Sequence, residues 1–297
     1  MRCLLPLPLF AVLACAAPKV PATPEATPAA VSHAGCDDSP PVATEASTVS
    51  PAPAATSTIA PIEALLPPPA LILGDASPAP VVSPTVRIES PTSSAHVDAD
   101  GSVTLKVTAW PTAEGAAHVH LILDNQPYKP IYDTGAPVRL RDLNGGNALA
   151  AGPHVLVAFA SRANHESVKS PGALAVTPFV VGAEPAAFDA PKAFLVFSRP
   201  KGTYAGPQAN HVLVDFQLVG LALGEKGSSV AIEVRSDKLA APLRARATHF
   251  GKPFYLENLP SGSYEIELQL LDAAGKPSGG AWNKTVRAII VDRAKKV

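Results

Sequence analysis

The segment Ala117-His-Val-His-Leu-Ile-Leu-Asp-Asn125 alternates apolar and polar side chains and ends in an Asp-Asn turn. A period of two predicts a strand with one face on a core. The same signal recurs on either side. Val86 and Ile88 alternate ahead of Ser90-Pro91, and Ser102-Val-Thr-Leu-Lys-Val-Thr-Ala109 is rich in β-branched residues. Gly152-Pro-His-Val-Leu-Val-Ala-Phe-Ala160 and Ala173–Val181 follow. Turn sequences separate these runs, among them Asp98-Ala-Asp-Gly101, Asp124-Asn-Gln-Pro127 and Asn144-Gly-Gly-Asn147. No stretch has a persuasive helical period. The expectation is an all-β chain with turns at the spacing of a β-sandwich.

The pattern then repeats. Ala193-Phe-Leu-Val-Phe197 precedes Ser198-Arg-Pro200 as Val86–Glu89 precedes Ser90-Pro91. Ser229-Val-Ala-Ile-Glu-Val-Arg235 parallels the histidine strand, and Gly262-Ser-Tyr-Glu-Ile-Glu-Leu268 parallels the strand opening at Gly152. Val230 lies 111 positions after Val119, and Gly262 lies 110 after Gly152. A common offset near the size of one sandwich indicates a duplicated domain. It also assigns faces. Val230, Ile232 and Val234 form the apolar set of their strand, so Val119, Leu121 and Leu123 should face the core of the first copy. His118, His120 and Ile122 should then face outward. On the later strand, Tyr264, Ile266, Leu268 and Leu270 correspond to His154, Leu156, Ala158 and Ala160. His154 thus takes the place of a tyrosine and is expected to bond the backbone.

The N-terminal part has a different character. Met1-Arg2 is followed by an apolar stretch from Leu4 to Ala14, too short for a membrane span and suited to the core of a signal peptide. Val12-Leu13-Ala14-Cys15 resembles the lipobox of bacterial lipoproteins, with Leu13 bulkier than the usual occupant of its position. The resemblance implies cleavage before Cys15 and lipidation of that residue. Ala16 and Ala17 follow, without the acidic residue that marks inner-membrane retention in that family, which implies an outer-membrane lipoprotein facing the periplasm or the cell surface. The rest of the linker is rich in Pro, Ala, Ser and Thr and holds nearly half of the 33 prolines. Such a segment buries too little to repay ordering. It would reach roughly 45 Å as a coil and up to about 200 Å as extended polyproline II. The expected organisation is a signal peptide over 1–14, a lipidated cysteine and linker over 15–81, and domains over 82–184 and 185–297.

Composition narrows the functions. With 24 basic and 25 acidic side chains the net charge is −1, which excludes a bulk electrostatic pull toward nucleic acid or anionic lipid. The three cysteines, Cys3, Cys15 and Cys36, all precede the folded part, so no disulfide framework is expected there. Cys36 is either an incidental linker residue or the source of an intermolecular disulfide. Asp98-Ala-Asp100-Gly101 has only a fragment of a calcium loop and reads as a turn. There is no Gly-x-Ser-x-Gly elbow and no carboxylate pair to nominate, so no catalytic residue is assigned and an enzyme is not expected.

The run Leu259-Pro-Ser-Gly-Ser-Tyr-Glu-Ile-Glu-Leu268 resembles the late-strand signature of immunoglobulin-like and fibronectin-III-like bacterial modules. The resemblance covers both repeats and implies two tandem sandwiches. The disulfide and intervening Trp of antibody-type domains are missing. Such modules imply adhesion, spacing or ligand display. The resulting expectation is a non-catalytic cell-envelope lipoprotein, anchored in the bilayer by lipid, with an envelope protein or glycan as partner and no cofactor. In such a sandwich the start of the strand at His118 and the loop holding His165-Glu166 share one end, with His154 at the other. The alternative function follows: His118, His120, His165 and Glu166 converge on Zn²⁺ or Cu²⁺, ions that favour imidazole and carboxylate ligands. Against it, two histidines on an exposed sheet face are ordinary surface residues.

Overall fold

A computed structural model describes residues 66–183 and 192–296. The signal segment, Cys15, Cys36 and most of the linker lie outside the described residues. The described residues are all-β, with short 3-10 turns at Leu140–Leu143 and Gly206–Asn210.

The first sandwich contains β2 (Thr85–Ser90), β3 (His96–Val97), β4 (Ser102–Thr108), β5 (His118–Leu123), β6 (Lys129–Ile131), β7 (Val138–Arg139), β8 (Gly152–Ser161) and β9 (Leu174–Val181). They form a three-stranded sheet, β2-β4-β7, and a five-stranded sheet, β3-β9-β8-β5-β6. The second contains β10 (Phe194–Arg199), β11 (Gly202–Ala205), β12 (His211–Val219), β13 (Ser229–Arg235), β14 (Leu243–Ala247), β15 (Phe254–Glu257), β16 (Gly262–Leu271) and β17 (Lys284–Asp292). Its five-stranded sheet, β11-β17-β16-β13-β14, repeats that of the first copy strand for strand. In both copies the opening strand ends near a proline, Pro91 or Pro200, which cannot donate to a ladder. The chain then crosses to the other sheet, where β3 pairs parallel with β9 and β11 with β17.

The inward faces are those the repeat assigns. Val119, Leu121 and Leu123 share one core with Leu156, Ala158 and Ala160. Val230, Ile232 and Val234 share the other with Tyr264, Ile266, Leu268 and Leu270. The tyrosine position also matches. Tyr264 donates its hydroxyl to Pro260 O at 2.8 Å, and His154 Nε2 lies 2.9 Å from Ala150 O, four residues back in each case.

Two features depart from the sequence expectation. Residues Ala70–Leu73 form a strand, β1, that pairs antiparallel with β15 at the edge of the second sandwich's other sheet, β1-β15-β12-β10. Leu71 packs on that core, which gives this piece of the linker region a reason to order. Farther on, Ser77 and Pro78 fasten to the first sandwich: the Glu166 carboxylate accepts from Ser77 N at 3.2 Å and Ser77 Oγ at 2.5 Å, and Arg162 donates to Pro78 O at 2.5 Å.

The second departure concerns the face of β5 that carries the histidines. It points away from its own core, yet every residue of β5 is buried. The cover is β10 of the second sandwich. Ile122, Val155, Val157 and Phe159 pack with Phe194, Val196 and Tyr128 in a third apolar cluster. Each such side chain contributes about 1.5–3 kcal/mol when fully buried. Polar contacts frame this junction. Arg287 donates to Asn125 O and Gln126 O at 2.9 and 3.1 Å, and Asn125 donates to Thr285 Oγ1 at 2.7 Å. On another side, Asp215 accepts from Lys169 Nζ at 2.8 Å and from Ser167 Oγ at 2.5 Å.

Candidate metal centre

His118 and His120 sit two apart on β5, so their side chains share a face. The β8–β9 loop brings His165 to the same place. His165 has φ of 68°, a left-handed backbone that costs a side-chain residue energy but that His tolerates better than most. A bulge-like turn holds it, with His165 N donating to Arg162 O and Arg162 N to Glu166 O, both at 2.9 Å.

Three ring nitrogens converge. His118 Nε2 lies 3.0 Å from His165 Nδ1 and 3.0 Å from His120 Nε2, and the third side, His120 Nε2 to His165 Nδ1, is 3.4 Å. Each aromatic nitrogen has a single in-plane lone pair or proton, so three of them aimed at one point cannot satisfy one another pairwise. A shared cation can satisfy all three. With metal–nitrogen bonds of about 2.0–2.1 Å, ligand nitrogens of a tetrahedral site stand about 3.3 Å apart, close to this triangle.

The outer nitrogens are held as a metal site requires. His118 Nδ1 donates to Ala116 O at 2.9 Å, which leaves Nε2 with the lone pair. His120 Nδ1 lies 3.2 Å from Ser198 Oγ of the second sandwich. Trp110 Nε1 donates to both His118 O and Ser161 O at 3.2 Å, fixing the start of β5. Tyr128 stacks on His120 with ring centres 3.5 Å apart, and its hydroxyl is 3.3 Å from His165 Nδ1.

The electrostatics keep the rings neutral. Burial lowers the proton affinity of His118, with Arg199 and Lys201 adding to it against the bond to Ala116. Burial also holds His120 well below the usual histidine range, helped by the other two imidazoles and by Arg199 and Lys201. His165 is lowered to about 3 by burial, then by Arg199, His118 and Lys201. Burial lowers Lys201 to about 8 and pushes the Tyr128 hydroxyl up. Neutral imidazoles with free lone pairs are the form that binds metal.

Of the four residues grouped in the sequence, the structure brings together three. His118 and His120 are buried, not exposed on an open face, because the second sandwich covers them. Glu166 does not join them: it is buried beside His165, but its carboxylate accepts from Ser77. His154 is separate, with Nδ1 2.6 Å from Asp124. Tyr128, Ser198, Arg199 and Lys201 complete the surroundings and have no signature in the sequence. A cleft of ≈ 380 Å³ reaches His165 from outside, between Asn164, Arg199, Tyr204 and Gln208. A tetrahedral ion held by these three nitrogens would have a fourth position to be filled by a further ligand.

The sequence matches no protein-family model and none of the curated protein sequences. Among solved structures, the fibronectin(III)-like modules of Clostridium thermocellum CbhA are 15% identical, with 72% of this chain and 98% of that one covered and a TM-score of 0.25. The two tandem V-type regions of the chitin-binding protein VCBP3 are 10% identical over 70% of this chain and 99% of that one, at 0.23. Chicken CNTN1 domains FN1–FN3 are 12% identical over 71% and 68%, at 0.22. Function is argued from the site itself.

Proposed function

We propose that this protein is a non-catalytic metal-binding module of the bacterial cell envelope, holding Zn²⁺ or Cu²⁺ on His118, His120 and His165. One observation carries the reading: three imidazole nitrogens 3.0–3.4 Å apart, two of them on buried rings and one on the half-buried His165, with the outer nitrogens of His118 and His120 near Ala116 O and Ser198 Oγ. Ring nitrogens aimed at one another in a largely buried cluster need a shared partner, because burial of unsatisfied polar atoms is costly.

Calorimetric titration of the full chain, with its cysteines alkylated, tests the proposal. Zn²⁺ or Cu²⁺ should bind one per chain, and His118→Ala/His120→Ala should abolish the heat. Absence of heat at micromolar protein in the unsubstituted chain would end the metal reading.

The delivery half of the proposal rests on the N-terminal sequence. Lipid on Cys15 anchors the chain to the outer membrane, and the proline-rich linker lifts the sandwiches toward an envelope protein or glycan. Several acyl chains are needed for stable anchoring. Palmitate labelling should be lost in Cys15→Ser, and labelling that persists would defeat the anchor.

A further inference from the structure

The three histidines supply no charge, while the second sandwich brings cations to the same place. Lys201 Nζ stands 3.8 Å from the centre of the Tyr128 ring, whose other face is stacked on His120. Arg199 lies over the same ring at 5.3 Å and lines one cleft with His165. A dication bound here would add to this positive charge in a half-enclosed space. Asp215 is paired with Lys169, and the single negative charge of Glu166, whose carboxylate accepts from the neutral Ser77, does not balance Arg199, Lys201 and a dication together.

Arg199 is also incompletely used. It donates from one terminal nitrogen to Tyr204 Oη at 3.0 Å, and its Nε is buried without a hydrogen-bond partner. Buried guanidinium donors are normally satisfied, and the guanidinium fork matches an oxyanion. The cleft beside it also offers Thr203, Tyr204 and Gln208, and its ≈ 380 Å³ falls within the size of small-ligand pockets.

Building on the metal reading, we infer that the fourth coordination position takes an oxyanion, a carboxylate or phosphate oxygen, steadied by Arg199, with Lys201 adding positive charge from across the Tyr128 ring, where its ammonium donates to Tyr128 O. The anion's oxygen occupies the fourth site on the metal. Its charge offsets the excess of cations, and its remaining oxygens accept from Arg199. The functional ligand is therefore a small carboxylate or phosphate compound held jointly by metal and protein, at a place where the two sandwiches meet.

The test loads the cysteine-alkylated full chain with Co²⁺ and follows its visible spectrum during titration with acetate and, separately, with phosphate. The spectrum should change saturably with at least one. A response to acetate alone assigns a carboxylate, and one to phosphate alone a phosphate group. Arg199→Gln should weaken the anion at least tenfold while Co²⁺ affinity holds or rises. Lys201→Gln, which leaves the Tyr204 contact intact, should weaken it in the same direction and guards against a folding defect in the first variant. Co²⁺ binding with a spectrum that ignores both anions overturns this inference alone. So does anion affinity in both variants equal to that of the unsubstituted chain. Failure to bind Co²⁺ removes the metal reading and this inference together.

Discussion

Replacing His165 by Asn separates ligand loss from damage to the fold. His165 holds φ of 68°, and Asn is among the side-chain residues that enter this region most readily. The β8–β9 turn should therefore survive. The ring is half-buried rather than enclosed, so its loss leaves little void. What disappears is one of three nitrogens, since an amide is a poor substitute where imidazole is preferred. Loss of a contact outside the ligand shell already costs about 10–100-fold in metal affinity, so about 100-fold is a conservative figure for a direct ligand. At a metal concentration 100 times its Kd, the ion stabilises the unsubstituted chain by about 2.7 kcal/mol; with affinity 100-fold weaker the gain falls to RT ln 2, about 0.4 kcal/mol. For a body of this size 1 kcal/mol moves Tm by about 2–4 °C, so metal should raise Tm by about 5–11 °C before substitution and about 1–2 °C after it. Thermal melts in chelator and then in Zn²⁺ read both numbers. If His165→Asn keeps the full metal-dependent rise, His165 is not a ligand. If the metal-free Tm falls by as much as the holo Tm, the histidine is a packing residue and the site argument fails.

Three further outcomes follow from the same geometry. Asp215→Asn should cost about 3 kcal/mol, at the low end for a broken buried pair because Lys169 is partly exposed. The urea midpoint should drop by about 1 M, and Asp215→Leu/Lys169→Met should recover most of it. His154 has its proton affinity raised, first by its bond to Asp124 and then by the Ala150 carbonyl, against burial. The stabilisation it gives is full below pH about 6.5 and is lost as pH rises through the higher folded value. With Asp124 36% exposed, this amounts to no more than about 1 kcal/mol. His154→Tyr, the residue of the second copy, should flatten the urea midpoint between pH 6 and 9. Val196→Asp, at a fully buried position of the junction, should weaken Zn²⁺ by about 10–100-fold without touching a ligand, because it displaces Ser198 from His120; unchanged calorimetric affinity would show that the first sandwich holds the ion alone.

The fold was legible because a period of two is unambiguous where one face is buried. Val119, Leu121 and Leu123 lie inward as their alternation requires, and the repeat offset carried that assignment from one copy to the other. The partnership of His118, His120 and His165 was legible from which end of a sandwich each occupies. Their burial was missed, although a signal was present. Phe194-Leu-Val-Phe197 and Val155-Leu-Val-Ala-Phe-Ala160 are apolar at both parities, the mark of a strand covered on both faces. Glu166 was misplaced because adjacency in sequence does not set direction, and its side chain is claimed by Ser77. That contact, like Tyr128, Ser198, Arg199 and Lys201, depends on segments distant in the chain and leaves no local pattern. The ordering of Ala70–Leu73 was hidden by the prolines that precede it.

The difference between the two copies explains why a site exists at all. Positions equivalent to His118 and His120 are Ser229 and Ala231, and farther along the same face stand Glu233 and Arg235. In the second copy these charged residues form an exposed ion network with Arg244 and Glu267, a surface that remains in solvent. In the first copy the corresponding face carries Ile122 and, on β8, Val155, Val157 and Phe159, which are apolar and covered. Histidine suits the border of that cover. It is apolar enough to be buried under a second sandwich, yet its nitrogens need partners once they are there. Ala116 and Ser198 meet the outer nitrogens, and the inner three are left facing one another. The two copies present equivalent five-stranded sheets, and the outer face of the first carries both the docking surface and the histidine cluster. On the proposed metal reading, ion affinity and the packing of the two sandwiches are linked through the same side chains, and a change to either should be felt in the other.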